Sequence, residues 1–254
     1  MNTTATVTFP ISALKRFGEH LVEIAHRDLG MTRDTAASFS QDAHQLLSRD
    51  GDFTRLSALL ASSGIRDRWN KACAKYRATE LAKWIAPHVR GRLMDLLSGD
   101  GRIGENLASN GADVLLVERP DVYDVDHSSH SAPFRLFDED KPLPMVDTVL
   151  LSTVLHHEPD ADGLLQLAAK SARRRLILVE NCLESEHPSE FQEFMDLFFN
   201  HCLNHTGLDS PMNHRTEEQW IQTCAFYGVP VAVDRKERLP GIPLSHHLIV
   251  IETK

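Results

Sequence analysis

Three glycines follow one another closely in a segment that reads Leu93-Met-Asp-Leu-Leu-Ser-Gly-Asp-Gly-Arg-Ile-Gly104. An apolar run precedes them and a helical pattern follows, so the segment predicts a strand, a sharp turn and a helix. Glycine permits such a turn, and it lacks the Cβ atom that would keep a bulky ligand away from the backbone. Asp95, at the end of the predicted strand, is placed to orient the turn or a polar group of the ligand. This segment is therefore a candidate ligand site.

A carboxylate follows the next predicted strand. Glu118 comes about 17 residues after Gly101. An acidic residue in this position can accept hydrogen bonds from both ribose hydroxyls of an adenosine, so the pair of features predicts an adenosine-containing ligand. The competing interpretation is that the glycines only form a tight turn and that Glu118 is a solvated loop charge.

Polar side chains also follow two later strands. His156 and His157 come after the fourth predicted strand, and Asn181 comes after the fifth. Open α/β sheets bind their ligands at the carboxyl ends of the strands, and histidine suits proton transfer near neutral pH. We expect at least one histidine to face the pocket and Asn181 to orient a substrate amine or carboxylate. The alternatives are a histidine packed beneath the next helix and an ordinary strand-ending asparagine.

The elements that must position these residues change in type near residue 90. Before it, apolar residues recur at helical spacing, as in Leu14, Phe17 and Leu21. After it, short apolar runs alternate with helical patterns. The predicted strands are Leu93–Leu97, Val114–Val117, Phe134–Phe137, Thr148–Leu151, Leu176–Val179, Val231–Arg235 and Leu248–Ile251.

This alternation predicts an α/β fold with a doubly wound, mostly parallel sheet of seven strands. The last two strands have no helix between them, so they form a hairpin and one of them runs antiparallel to the rest. We expect residues 1–90 to form a helical N-terminal lid that closes the pocket. Residues 91–254 are expected to form the ligand-binding domain, with a helical insertion near 186–215.

Composition excludes several classes of protein. The chain has 254 residues, 27 basic and 36 acidic, for a formal net charge of −9, which disfavours nucleic-acid binding. The longest apolar run, Val146–Leu155, is interrupted by polar residues and is too short for a membrane helix. The N-terminus lacks the pattern of a signal peptide, and the four cysteines have no CxxC spacing. We expect a cytoplasmic protein with reduced thiols, as a monomer or homodimer.

The segment Asp95–Gly101 resembles motif I of the class I S-adenosylmethionine-dependent methyltransferases, which usually reads D-x-G-x-G-x-G. Later landmarks are similar to those of the same family: Glu118, Phe137-Asp138, the block Asp147–His157 and the strand ending at Glu180. One departure is that Leu97 occupies the position of the first glycine, which in the family lies close to the methionine part of the cofactor.

The resemblance implies a Rossmann-like methyltransferase fold and S-adenosylmethionine as the cofactor, with Glu118 on its ribose and Asp138 beside its adenine. No metal is implied. The cofactor-binding residues that we expect from the resemblance are Asp95, Leu97, Ser98, Gly99, Gly101, Glu118, Asp138 and Ser152.

A further polar cluster lies in the predicted insertion. Asp196 and Asn200 are four residues apart on one helical face, and Asn204 and His205 follow, in an order that resembles a recurring segment of small-molecule methyltransferases. No pair of ligands there has a strong zinc spacing. Aromatic residues are candidates either for a wall around the sulfonium or for core packing, namely Tyr76, Phe198, Phe199 and Trp220.

Three functions compete. The first is methyl transfer to a small molecule, which predicts S-adenosylhomocysteine as product. The second is cyclisation of the cofactor to azetidine-2-carboxylate and methylthioadenosine, as in synthases that resemble methyltransferases. The third is a non-catalytic relic of a cofactor-binding protein. For catalysis the candidate residues are His156, His157, Asn181, Tyr76 and His205.

Overall fold

The computed structural model describes residues 11–50, 53–120, 130–138, 140–185, 187–203, 213–236 and 238–254. The chain divides into two compact units. The helical unit comprises Met1–Tyr76, Glu184–Asp209 and Leu239–Leu244. The sheet unit comprises Arg77–Leu183, Ser210–Arg238 and Ser245–Lys254.

A single seven-stranded sheet forms the centre of the sheet unit. Its strands are β1 (Leu93–Leu96), β2 (Val114–Glu118), β3 (Phe134–Leu136), β4 (Val146–Ser152), β5 (Ala172–Glu180), β6 (Gly228–Lys236) and β7 (His246–Thr253). The strand order is β3-β2-β1-β4-β5-β7-β6. β7 is antiparallel to both of its neighbours, and the pairings among β1–β5 are parallel. The predicted sheet, including the single antiparallel strand, is confirmed.

The buried strands explain why the sheet forms. Every residue of β1 and of β2 is buried, so these strands are covered on both faces, as in a doubly wound sheet. The order of the strands reverses direction between β1 and β4. Asp95 of β1 pairs with Leu116 of β2 on one side and with Leu150 of β4 on the other. This switch point is where open α/β sheets form their ligand crevice.

Several strands are longer than their apolar runs predict, and β5 and β6 extend furthest at their starts. β5 begins at Ala172, ahead of the predicted Leu176, because its pairing with β4 extends through the arginines that follow α7. β6 begins at Gly228, ahead of the predicted Val231, and includes Pro230. Proline is tolerated there because β6 is an edge strand, where a missing backbone donor costs little.

The helices of the sheet unit precede or connect the strands. They are most of α5 (Lys75–Ile85), and all of α6 (Arg102–Ser109), α7 (Ala161–Ser171) and α9 (Glu217–Cys224). A complete capping box formed by Thr216 and Gln219 begins α9. At the start of α7, Asp160 accepts a hydrogen bond from the Gly163 backbone.

Aromatic packing holds the helical unit together. Its helices are α1 (Ile11–Glu23), α2 (Arg33–Asp50), α3 (Phe53–Ser62), α4 (Ile65–Trp69) and α8 (Ser189–Phe198). The ring of Phe17 on α1 contacts Phe194 and Phe198 on α8 edge-on, at centroid distances of 4.8 and 4.9 Å. α8 therefore joins the N-terminal helices even though it follows β5 in the chain.

The four cysteines lie among the described residues, where all four are buried thiols that form no disulfide bond. Within the described ranges, no helix combines the length and the apolar character that crossing a membrane requires.

Candidate functional site

The chain turns sharply between β1 and α6, in the segment Leu97–Gly101, which we call the glycine bend. Leu97, Gly99 and Gly101 have φ angles of 55°, 61° and 73°, all in the left-handed region. The Ser98 backbone N–H donates to the Val117 carbonyl at 3.1 Å, which ties the bend to β2. α6 begins at Arg102, immediately after the bend. The predicted strand, turn and helix are therefore present.

Leu97 has a left-handed backbone, the conformation that favours glycine. A left-handed conformation costs a leucine about 1–2 kcal/mol. Its side chain is buried in the hydrophobic cluster of the sheet unit, and that burial offsets the cost. Leucine at this position therefore accepts the left-handed turn and adds a core side chain.

Glu118 is joined to the bend. Its Oε2 accepts from the Gly99 backbone N–H at 2.5 Å, and its Oε1 accepts from the Arg119 backbone N–H at 2.7 Å. Burial raises the pKa of Glu118, and the two N–H groups and the Arg119 charge only partly oppose this. The side chain is 3% exposed, so the interpretation of Glu118 as a solvated loop charge is wrong.

Asp95 is a second buried carboxyl beside the bend. Burial, together with the charge of Glu118, raises its pKa to about 7, although the Gly104 backbone N–H acts in the opposite direction. A carboxyl with this pKa is partly protonated at neutral pH. A ligand that brings a positive charge to this place would favour its ionised form.

Three polar atoms at this edge of the sheet are buried without a hydrogen-bond partner among the described residues. They are Asp95 Oδ2, Ser98 Oγ and Ser152 Oγ. They lie at the carboxyl ends of β1 and β4, which are adjacent strands. Because buried polar atoms are nearly always bonded, atoms of this kind indicate the place of a polar ligand. The residues present therefore fit a polar ligand on the glycine bend.

A cavity of about 690 Å³ lies on the β2–β3 side of the sheet unit. Its lining consists of Arg119, Pro120, Arg135, Leu136, Phe137, Asp138 and Lys141. The Arg119 guanidinium is 5.5 Å from the centre of the Phe137 ring and forms a bidentate ion pair with Glu158, at 2.5 and 2.7 Å. A cavity with a stacked ring and guanidinium at its wall can receive a flat aromatic group.

Asp138 lies at the rim of this cavity, where it is expected to contact adenine. Its Oδ2 is 2.6 Å from Lys141 Nζ. The hydrogen bond from Lys141 holds the pKa of Asp138 below its ordinary value, so the carboxylate is ionised and already paired.

The carboxyl ends of β4 and β5 are joined by a histidine–carboxylate pair. His156 Nδ1 lies 2.5 Å from Glu180 Oε2, and both residues are buried. Burial alone would raise the pKa of Glu180, but the charge of His156 and the hydrogen bonds to the carboxylate hold it below its ordinary value. The His157 and His214 rings lie beside that of His156, at centroid distances of 4.0 and 4.7 Å.

Sequence reasoning assigned no role to Glu180 or to His214. The signal for Glu180 was present, because a carboxylate that ends a strand of otherwise apolar residues needs a partner when it is buried. His214 lies in an irregular segment, and no local pattern relates it to His156.

The backbone just after β4 is strained. Thr153 has a φ of 54°, which is a rare conformation for a β-branched residue. Its hydroxyl accepts from Arg77 Nη2 at 3.1 Å and donates to the Ser152 carbonyl at 2.7 Å. Strain of this kind is concentrated at functional sites. No local sequence pattern predicts the left-handed backbone of Thr153.

The remaining predicted residues are placed as follows. Asn181 donates from Nδ2 to the Ser245 carbonyl at 2.8 Å, which ties the end of β5 to the start of β7. Tyr76 lies on α5 and is 47% exposed. Phe198 and Trp220 are core residues of the helical and sheet units. His205, with Asn204, lies outside the described residues.

No family model matches the chain. Among solved structures, it is similar to the pyocyanin biosynthetic protein PhzM, with a TM-score of 0.57 and 15% identity over 96% of this chain and 72% of that one. It is also similar to magnesium protoporphyrin IX methyltransferase from Synechocystis PCC 6803 with bound SAH, with a TM-score of 0.54 and 15% identity over 87% and 97% of the two chains.

A third similar structure is an O-methyltransferase family 2 protein from Planctomyces limnophilus in complex with apigenin. Its TM-score is 0.52, with 18% identity over 88% of this chain and 70% of that one. At these identities the likeness concerns the fold. The chain has the Rossmann-like fold of these methyltransferases.

Proposed function

We propose that this protein transfers the methyl group of S-adenosylmethionine to a small molecule in specialised metabolism. The observation that supports this most directly is the hydrogen bond from Gly99 to Glu118, which puts a buried carboxylate at the glycine bend. A bend whose glycines lack Cβ atoms and a carboxylate at its side are the two features that an adenosine requires of an α/β sheet.

The residues at the bend fit the parts of this cofactor. Each Glu118 oxygen accepts one backbone N–H and has a second lone pair for a ribose hydroxyl. Asp95, Ser98 and Ser152 offer the unpartnered polar atoms described above. We place adenine in the cavity beside Asp138, and the backbone at Leu97 and Gly101 completes the bend. When bound, S-adenosylmethionine supplies a methyl group made electrophilic by a positively charged sulfur.

The acceptor must lie in line with that methyl group and away from water. We assign His156 as the base for an acceptor that carries a proton, with His157 beside it. Asn181, Tyr76 and His205 are proposed to orient the acceptor. No metal is required, since the electrophile is already activated in the cofactor.

Calorimetry and a product assay test the proposal. We expect the wild-type protein to bind S-adenosylhomocysteine. If neither S-adenosylmethionine nor S-adenosylhomocysteine binds at millimolar concentration, the remaining hypothesis is a non-catalytic relic. PhzM is a pyocyanin biosynthetic protein and the Planctomyces protein was crystallised with apigenin, so the acceptor panel begins with hydroxylated aromatic compounds.

The products distinguish the two reactions. Methyl transfer yields S-adenosylhomocysteine only when an acceptor is present. Cyclisation yields methylthioadenosine and a ring amino acid from S-adenosylmethionine alone. The appearance of those two compounds without an acceptor would overturn the proposal of methyl transfer.

A further inference from the structure

An ion pair joins the carboxyl ends of two strands that are not neighbours in the sheet. Arg119 directly follows β2, and Glu158 follows the short helical turn Leu155–His157 after β4. The Nη1 and Nη2 atoms of Arg119 donate to Oε1 and Oε2 of Glu158, at 2.5 and 2.7 Å. A bidentate contact of this kind fixes both the distance and the orientation of the two side chains.

This ion pair must cross the end of β1. In the sheet, β1 lies between β2 and β4 and is parallel to both. Because neighbouring strands are about 4.8 Å apart, the ends of β2 and β4 are separated by about 10 Å. The glycine bend leaves β1 within that gap. The side chains of Arg119 and Glu158 therefore span the part of the crevice that contains the bend.

The ion pair lies where we place the middle of the cofactor. The backbone N–H of Arg119 donates to Glu118, the carboxylate that we assign to the ribose. On the β3 side, the Arg119 guanidinium faces the Phe137 ring in the cavity where we place adenine. On the β4 side, Ser152 offers a hydroxyl oxygen without a partner among the described residues. A cofactor that reaches both sides extends past the ion pair.

The closed form of the ion pair is well supported. The Glu158 side chain is 9% exposed and that of Arg119 is 30% exposed, so the contact is largely shielded from water. The Glu158 carbonyl accepts from Asn213 Nδ2, and the Glu158 N–H donates to the Leu155 carbonyl at 3.1 Å. Opening the pair leaves a largely buried carboxylate without its counter-charge, which costs free energy. An open form is therefore the minor one.

We propose that Arg119 and Glu158 form a strap that opens to admit S-adenosylmethionine and closes again over its ribose. The inference rests on the proposed function, because it concerns the path of that cofactor into its site. It applies to methyl transfer and to cyclisation alike, since both begin from the same bound cofactor. The strap sets the rates at which the cofactor enters and the product leaves.

Two other roles of the ion pair give different kinetics. If the pair filled the cofactor site, breaking it would raise the association rate constant alone, and the Kd would fall. If the pair only contacted the bound cofactor, breaking it would raise the dissociation rate constant alone, and the Kd would rise. A strap that is closed both before and after binding predicts that the two rate constants rise together.

The kinetics of S-adenosylhomocysteine binding, measured by surface plasmon resonance, test the strap without an acceptor. Glu158→Gln keeps the size of the side chain but removes its charge, so the bidentate ion pair is lost. We expect both rate constants to rise by about 3- to 30-fold, with a Kd within about threefold of the wild type. Unchanged rate constants, or a change confined to one of them, would overturn the proposal.

Arg119→Gln removes the other half of the strap and should also raise the association rate constant. The double variant should associate no faster than the faster single variant, because each change already opens the same pair. Effects that multiply in the double variant would show two independent roles and would contradict a strap. If Glu158→Gln does not fold, Arg119→Gln carries the test, and a wild-type association rate constant in that variant overturns the proposal.

A matched control is available in the sheet unit. Arg215 Nη1 lies 2.7 Å from Asp162 Oδ1, so Asp162→Asn breaks another ion pair by the same loss of one carboxylate charge. Neither residue lies at the strand ends that the strap joins. We expect both rate constants of this variant to equal those of the wild type. If they rise as much as in Glu158→Gln, the effect is a general one of charge and the proposal fails.

The binding experiment separates this inference from the proposed function. If the wild type binds S-adenosylhomocysteine and Glu158→Gln has the same rate constants, the strap is wrong and the proposed function stands. If the wild type binds neither S-adenosylmethionine nor S-adenosylhomocysteine, the proposed function and the strap both fail.

Discussion

The backbone N–H of Gly99 donates to Glu118 Oε2 at 2.5 Å, so the end of β2 and the turn after β1 are joined by a charged hydrogen bond. The contact brings together two residues that lie 19 positions apart in the chain. It also aligns the carboxylate with the backbone surface on which we place the cofactor.

Removal of this carboxylate should weaken cofactor binding. We expect Glu118→Ala to raise the Kd for S-adenosylhomocysteine by about 10- to 100-fold, because hydrogen bonds to a charged group contribute about 1.5–3 kcal/mol. Calorimetry measures the change, and Glu218→Ala, which removes an exposed carboxylate on α9, serves as the control. A wild-type Kd in Glu118→Ala would refute the ribose-binding role.

Asp95 should make the stability of the ligand-free protein depend on pH. Its pKa rises from an ordinary 3.8 to about 7 on folding, so the folded state binds more protons between these values and loses stability as the pH rises through them. Asp95→Asn removes this loss. The free energy of unfolding of this variant, relative to that of the wild type, should therefore increase with pH, by up to about 4 kcal/mol at about pH 8.

Denaturant unfolding of Asp95→Asn and the wild type at about pH 4.5 and pH 8 checks the direction of this pH dependence. Asp140→Asn, at an exposed position, should keep the pH dependence of the wild type. Parallel behaviour of Asp95→Asn and wild type at both pH values would show that burial of Asp95 carries no such cost.

At position 97, the usual order of stability of alanine and glycine variants should be reversed. Because the φ of Leu97 is 55°, glycine relieves strain that alanine keeps, and we expect Leu97→Gly to be about 1 kcal/mol more stable than Leu97→Ala. At Leu107, a buried residue within α6, the order should be the ordinary one, with glycine about 1 kcal/mol less stable. The free energies of unfolding of the four variants decide this, and the same order at both positions would contradict the left-handed backbone at residue 97.

The two adjacent histidines should differ in their effect on turnover. His156 holds the contact with Glu180, so His156→Gln is expected to lower kcat by about 100- to 10,000-fold. His157→Gln should have a smaller effect, since the base remains in place. Circular dichroism verifies that both variants fold. An unchanged kcat in both would exclude histidine as the base.

The sheet was predictable because its signals are local. Apolar runs of strand length, separated by helical patterns, specify a doubly wound sheet, and two final strands without a helix between them specify the antiparallel strand. The glycine bend was predictable for the same reason, since Gly99 and Gly101 allow a backbone that other residues rarely adopt. The starts of β5 and β6 were less predictable, because pairing with a neighbouring strand extends both strands beyond their apolar residues.

The composition of the helical unit depends on packing between distant segments. α8 follows β5 in the chain, and side-chain packing such as the contact of its rings with Phe17 assigns it to the unit of the N-terminal helices. Helical periodicity identifies an apolar face but does not specify its partner.

The sequence by itself determined the fold and the place of the bend, because each rests on the conformations open to a few neighbouring residues. Tertiary structure alone decided that Leu97 adopts the backbone of a glycine, that Glu118 is buried against Gly99, and that Glu180 holds His156. Burial and the distance between charged groups set the protonation of a side chain, and both arise only when strands far apart in the chain lie side by side.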